Sequence, residues 1–298
     1  MGFTRYIEKP WLIPGALQSR GMGRLIPDTI YLKCAYYDKF GKKLNLRKPV
    51  SFNEKLQWLK LYDRKLIYTT LVDKFAVKKY VADIIGEEYI IPTLGVWDQF
   101  DDIDFSCLPD KFVLKCTHDS GGLVICTDKR QLNMEEAKNK INASLKRDYY
   151  LNGREWPYKN VPRRIIAEKY MADNMSDYKL FCFHGIPRIT LVCSDRFTED
   201  GLGLREDFFN ENWEHLNLRR PTHGNADFPI PCPKSYGLMK ELAIKLSEEI
   251  PFARVDFYEV NGRAYFGEIT LFPASGFEGF RPEAWDVEIG SWITLPRK

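Results

Sequence analysis

The 298-residue chain carries 44 basic against 41 acidic side chains, and this net charge of +3 gives no basis for non-specific nucleic-acid binding. Hydrophobic residues at 44% and charged residues at 29% match a soluble globular enzyme, and the length suffices for one large domain or a few subdomains around shared cores. No apolar run approaches the roughly 20 residues needed to cross a bilayer, and Pro10, Pro14 and Gly15 interrupt any signal-peptide core. Cys34, Cys107, Cys116, Cys126, Cys182, Cys193 and Cys232 form no CxxC pair and no regular spacing, which fits a reducing compartment. A cytoplasmic protein is expected, its aromatic, basic N-terminus compatible with peripheral membrane contact.

Residues 1–50 are rich in Gly, Pro, Arg and aromatics and are expected to hold at most short helices. Ser51-Phe52-Asn53-Glu54 is a capping box, opening a helix through Leu56 and Leu59 to about Tyr62. A second helix is predicted from about Ile67 to Ile85, stopped at Gly86. Lys111 to Cys116 alternates as a strand does; a polar turn from Thr117 to Gly122 and a second strand, Leu123 to Cys126, follow. Asn133 with Glu136 caps a helix to about Tyr149. Arg164 to Met171 and Tyr178 to Cys193 read as strands, the latter broken by a hairpin turn at Gly185-Ile186-Pro187. Residues 194–234 are loop-rich, and Tyr236 to Ile250 is helical until Pro251. Strands Ala253 to Glu259 and Arg263 to Thr270 meet through Asn261-Gly262. Hairpins mixed with helices imply an α+β fold and not a doubly wound parallel sheet.

Three constellations bear on chemistry. Lys115, at the end of a strand, precedes Thr117-His118-Asp119-Ser120-Gly121-Gly122, a turn whose N–H groups could cradle a polyphosphate; taken alone, a plain glycine hairpin is the simpler account. The strand Ile165-Ile166-Ala167-Glu168-Lys169-Tyr170-Met171, followed by Asp177-Tyr178-Lys179, offers an edge for a purine and an acid for ribose hydroxyls; an amphipathic edge strand is the plainer account. Asp256 and Glu268 lie on paired strands, where two carboxylates repel unless a cation such as Mg²⁺ lies between them. A strict two-residue turn at Asn261-Gly262 would pair Asp256 with Gly267 and put the two acids on opposite faces. Sharing a metal requires a longer loop or a bulge that sets Asp256 opposite Glu268; otherwise they are two exposed strand acids.

In that order, the motifs Phe112-Val113-Leu114-Lys115 with His118 to Gly122, Arg254-Val255-Asp256-Phe257-Tyr258, and Phe266-Gly267-Glu268-Ile269-Thr270-Leu271-Phe272-Pro273-Ala274-Ser275-Gly276 resemble the TupA-like ATP-grasp family, from about Ser51 to Leu295. The resemblance implies an ATP-grasp fold with an N-terminal helical region (1–108), a central lid subdomain (109–171) and a C-terminal metal-binding subdomain (172–298). It implies ATP and Mg²⁺ as cofactors. Lys115 and the outer lysine Lys74, placed in the preceding helix, would hold phosphates beneath the loop His118, Ser120, Gly121 and Gly122. Glu168, Lys169, Tyr170 and Met171 would receive adenine, with Asp177 and Lys179 beside the ribose. Asp256 and Glu268 would hold the metal, with Thr270 where many ATP-grasp enzymes have Asn.

The implied activity is a carboxylate–amine ligation through an acyl-phosphate, acting on a uronic acid of a bacterial surface polysaccharide and an amino acid or other amine. Arg254, Arg196 and Arg281 are the candidates for the acyl-phosphate and substrate carboxylate, because guanidinium binds such groups bidentately. Arg254 leads, since it shares a strand face with Asp256; His118 is a candidate base for the amine or a loop-closing bond. The alternatives are an ATP-grasp kinase acting on a sugar hydroxyl, a glycosyltransferase binding a nucleotide-sugar, and a non-catalytic assembly partner.

Overall fold

The computed structural model describes residues 4–172, 176–194 and 203–297. Helices α1 (Thr4–Glu8), α2 (Ile13–Leu17), α3 (Asp28–Phe40), α4 (Phe52–Tyr62), α5 (Ile67–Val72) and α6 (Ala76–Ile85) precede strand β1 (Thr93–Trp97). Strands β2 (Phe112–Cys116) and β3 (Leu123–Cys126), helices α7 (Met134–Leu145) and α8 (Tyr149–Gly153), and strand β4 (Ile165–Lys169) follow. The chain ends with β5 (Asp177–Phe183), β6 (Ile186–Ser194), β7 (Arg205–Asn210), α9 (Tyr236–Ser247), β8 (Ala253–Val260), β9 (Arg263–Thr270) and α10 (Ala284–Ser291).

Two antiparallel sheets organise these elements, one in the order β1-β4-β2-β3 and one in the order β7-β6-β5-β8-β9. The α+β class expected from the hairpins is therefore present. In the smaller sheet, Phe112, Leu114, Ile165 and Ala167 pack with Ala137 and Ile141 of α7. The alternate positions Lys115 and Glu168 consequently face away from that helix. In the larger sheet, α9 packs on one face, where the Tyr236 hydroxyl meets Thr190 Oγ1 at 3.0 Å. On the other face, Phe52 of α4 packs with Phe181, Phe183, Phe252 and Phe280. Asp177 and Lys179 lie on that same face of β5 but beyond the aromatic cover, so one face is apolar at one end and charged at the other.

The capping box at Ser51 forms as expected, with the Ser51 hydroxyl accepting from Glu54 N–H and the Glu54 carboxylate accepting from Ser51 N–H. Asn133 caps α7 through Glu136 N–H, although that helix ends at Leu145 and Tyr149 opens a separate one. Other expectations are corrected. Residues 28–40 form a 13-residue helix where only short ones were expected. The single helix expected over 67–85 is broken at Asp73, whose Oδ1 accepts from Phe75 and Ala76 N–H, so Lys74 stands in the break and not within a helix. The β5–β6 turn is His184-Gly185, both at positive φ, and Pro187 lies within β6 at a bulge. Strand β7 forms inside the segment expected to be loop, and β1 pairs with β4 although neither its sequence nor its spacing suggested a strand.

The last hairpin resolves the register. Val260 pairs with Arg263 across the two-residue turn Asn261-Gly262, both at positive φ as this tight connection requires. A bulge between Asp256 and Phe257 then places one extra residue, Gly267, on β9, so Asp256 lies opposite Glu268.

Helix α10 packs on the start of α4 at Gly290, where a Cβ would lie 2.4 Å from Val50 O and 2.6 Å from Phe52 N. Because both obstacles are backbone, Gly290→Ala is expected to destabilise by about 2 kcal/mol or more, against about 1 kcal/mol for the lost cap in Ser51→Ala. Urea denaturation of both variants checks the order; an equal or smaller loss in Gly290→Ala would contradict this packing.

Candidate active site

Bringing Asp256 and Glu268 to one face puts them beside Arg254, two residues before Asp256 on β8. Arg254 donates from Nε to Asp256 Oδ1 and from Nη2 to Oδ2, both at 2.7 Å, and from Nη2 to Glu268 Oε1 at 2.9 Å and Thr270 Oγ1 at 3.0 Å. Lys179 on β5 donates to Asp256 Oδ2 at 2.6 Å and pairs with Asp177 at 2.5 Å. All these contacts on Asp256 are donors, so it is ionised although only 1% exposed. Burial pushes its carboxyl upward, against Arg254 and Lys179. For Glu268 the balance goes the other way: burial opposes, but Arg254, Lys179, Lys74 and Lys115 hold it well below the usual carboxylate range.

The opposing wall comes from the smaller sheet. Lys115 Nζ lies 2.6 Å from Glu168 Oε2, and Lys78 Nζ lies 2.5 Å from Glu168 Oε1. Lys74, freed from helical geometry by the break at Asp73, donates its backbone N–H to Thr117 O and its ammonium to Asp119 O. Burial pushes Lys74 below the usual lysine range, with Glu268 opposing and Lys115 adding to the effect. Lys74 and Lys115 lie close enough to Glu268 for their charges to help lower its carboxyl.

The turn after β2 is closed by Cys116 N–H to Gly122 O and Leu123 N–H to Gly121 O. Asp119 accepts from Ser144 Oγ, and Arg147 Nη1 lies 3.5 Å from Asp119 Oδ2 and from Ser120 O. His118 is 2% exposed, and among the described residues neither ring nitrogen meets a hydrogen-bond partner; burial pushes its pKa down, against Asp119. It is therefore a neutral imidazole at neutral pH.

Other expected residues are placed differently. The Glu168 side chain is committed to Lys115 and Lys78. Lys169 donates its N–H to Pro92 O, and Lys111 Nζ sits 5.6 Å from the Tyr170 ring centre. Asp177 is bonded to Lys179 as part of the carboxylate cluster. Arg281 lies outside the cluster: it pairs with Glu283 at 2.7 Å and lines a cavity of about 490 Å³ with Tyr36, Phe40 and Phe280. Arg196 lies outside the described residues. Lys78 was missed, because only its pairing with Glu168 on β4 marks it.

Among the described residues, no three His, Cys, Asp or Glu side chains are grouped to hold a metal by themselves. Mg²⁺ with a nucleotide takes one or two carboxylates and completes its shell with phosphate oxygens and water. The donor set fits that arrangement: among the described residues three carboxylates meet two cations, and Glu268 keeps 43% of its side chain exposed. Glu268 would be the open ligand for such an ion; Asp256 would become one only on giving up its bonds to Arg254 and Lys179.

Lys179→Met leaves two buried carboxylates without their shared cation and is expected to cost about 3–5 kcal/mol, partly recovered by adding Asp256→Asn. Denaturant unfolding of the single and double variants checks this; additive losses would contradict the shared pairing. At Glu168, burial would raise the carboxyl, but Lys115 and Lys78 hold it lower than usual. Its contribution is complete above the unfolded value of about 4.3 and is lost as pH falls through the native value. The stability gap between wild type and Glu168→Gln is expected to hold from pH 7 to about pH 5 and to narrow as pH falls below about 4.3; a gap that widens on acidification would contradict the pairing.

Similar solved structures include a D-alanine–D-alanine ligase from Bacillus anthracis complexed with ATP, at 17% identity over 68% of this chain and 55% of that one, with a TM-score of 0.39. Another is an L-amino acid ligase from Bacillus licheniformis, at 15% identity over 75% and 49%, with a TM-score of 0.42. The chain spans about half the length of these two proteins, and likeness at this level bears on neither substrate nor reaction. Among curated proteins, none matches the chain. The family model described as TupA-like ATPgrasp matches residues 54–294, well over half the length, and the chain belongs to the TupA-like ATP-grasp family.

Proposed function

We propose that the protein is an ATP-dependent carboxylate–amine ligase that amidates a uronic acid of a bacterial surface polysaccharide with an amino acid or other amine. The observation that carries the reading is the facing of Lys74 and Lys115 on one wall against Arg254, Asp256 and Glu268 on the other. That spacing of cations and acids suits a polyphosphate between the walls, with family membership giving ATP as the nucleotide. The uronic acid is taken from the family resemblance in the sequence.

Lys115 and Lys74 would bind phosphate oxygens, and the backbone of the turn to Gly122 would supply directional N–H donors. The backbone of Glu168 to Met171 would receive the base. Glu268, with Asp256, would hold Mg²⁺, which when bound offsets charge on the phosphates. Arg254 is held by four hydrogen bonds from Nε and Nη2 within the acid cluster, and would meet an acyl-phosphate through Nη1, which none of those bonds uses. The buried His118 would accept a proton from the amine only after the turn opens, which favours a positioning role for it. No described helix is long and apolar enough to cross a membrane; the reading places the protein in the cytoplasm, where ATP is available.

Thermal unfolding with Mg-ATP, ATP plus chelator, and UDP-sugars tests the nucleotide reading. A ligand at 100 times its dissociation constant adds about 2.7 kcal/mol. Stabilisation is expected with Mg-ATP only, and is expected to vanish in Lys115→Ala and in Glu268→Gln. Stabilisation by a UDP-sugar alone would overturn the reading in favour of a glycosyltransferase.

A further inference from the structure

Beside the nucleotide cluster, the same face of the larger sheet carries a second group of buried charges that the ligation chemistry does not use. Glu206 on β7 pairs with Cys193, which pairs with Asp177, so Glu206 shares a face with Asp177 two strand spacings away, about 10 Å. Glu206 is only 3% exposed. Its Oε1 lies 3.1 Å from Arg220 Nη1, and that same nitrogen lies 3.2 Å from Glu278 Oε2. One guanidinium therefore serves two carboxylates, and the group carries a net negative charge.

The hydrogens can be followed one by one. Thr222 Oγ1 lies 2.6 Å from Glu278 Oε1 and must donate to it, since a carboxylate has nothing to give. His223 Nδ1 lies 3.0 Å from the same Thr222 oxygen, so the imidazole must carry its hydrogen on Nδ1 and donate there. Glu206 Oε2 is 3.5 Å from His223 Nδ1, whose hydrogen is thus already committed. Glu206 Oε2 is buried and has no hydrogen-bond donor among the described residues. A buried carboxylate oxygen without a donor costs stability, and His223, with 30% of its side chain exposed, is what covers it.

We propose that Glu206 and Glu278 form a subsite for a positively charged amino group on the amine substrate, remote from the bond being made. An ammonium supplies both missing elements, a donor for Glu206 Oε2 and the charge that offsets the second carboxylate. Rotation of the exposed His223 ring admits it. The subsite rests on the ligase reading only for the identity of its ligand as part of the second substrate, since the two strands between it and Asp256 keep it clear of the phosphate lysines.

Isothermal titration with 1,5-diaminopentane, L-lysine and xylitol tests this on wild type, Glu206→Gln, Glu278→Gln and His223→Ala. The two amines are expected to bind wild type and His223→Ala, and to bind each carboxamide variant about tenfold or more weakly, a loss of about 1.4 kcal/mol. Xylitol is expected not to bind. Amine binding unchanged in both carboxamide variants, or absent from wild type and His223→Ala, would overturn the subsite. Xylitol binding lost in Glu206→Gln would assign the site to hydroxyls instead and equally overturn it. Mg-ATP stabilisation of the same samples reports folding and the nucleotide reading separately, so either idea fails without the other.

Discussion

Gly267 adds one residue to β9, and the charge distribution of the cleft depends on that residue. Without the bulge, Gly267 would pair with Asp256 and Glu268 would fall on the face covered by α9, away from the cations that answer its charge. With it, Glu268, Asp256, Arg254, Thr270 and Lys179 share one face. A side chain at Gly267 would crowd the site of the bulge, since a Cβ there would sit 3.1 Å from Asp256 O and from the Tyr258 ring.

The acids so collected repel one another, and the molecule offsets that repulsion in two ways. Arg254 and Lys179 bind them directly, while Lys115 from the smaller sheet and Lys74 from the break between α5 and α6 act on Glu268 by charge. The second group is held in turn: Glu168 takes Lys115 and Lys78, and Asp73 breaks the helix that would otherwise carry Lys74 away from the cleft. A polyphosphate would therefore find lysines whose charges are only partly answered and an acid, Glu268, that remains open.

Beyond β9 the chain turns through Ala274 and Ser275, both at positive φ. Lys60, fully buried in α4, donates to Ser275 O at 2.6 Å and Gly153 O at 2.7 Å. Ser275 Oγ also donates to Glu155. This turn is the end of the C-terminal motif, and its conformation is fixed by a lysine more than 200 residues earlier in the chain.

Such long-range ties explain what could be read from the sequence. Local signals were enough where the cause is local: Ser51 with Glu54, Asn133 with Glu136, and the alternation through Lys115 each specify an element within a few residues. The candidate acids and phosphate lysines could be named from their motifs, and Arg254 could be placed with Asp256 because the two are separated by one residue on a strand. The register of the last hairpin stayed open because either a bulge or a plain turn satisfies the same residues, and only cross-strand packing decides. Lys78, the Lys60 anchor and the Glu206 cluster were illegible because each gains its meaning from partners on other elements. Strands β1 and β7 were missed for the same reason, being short edge strands defined by the neighbours they pair with.

Hydroxylamine trapping is the most direct test of carboxylate activation by this cleft. With Mg-ATP, hydroxylamine and a panel of uronic acids, the account predicts a hydroxamate formed in equal amount to ADP. ADP release that depends on a sugar hydroxyl and yields a phosphate ester without hydroxamate would contradict it and make the protein a kinase.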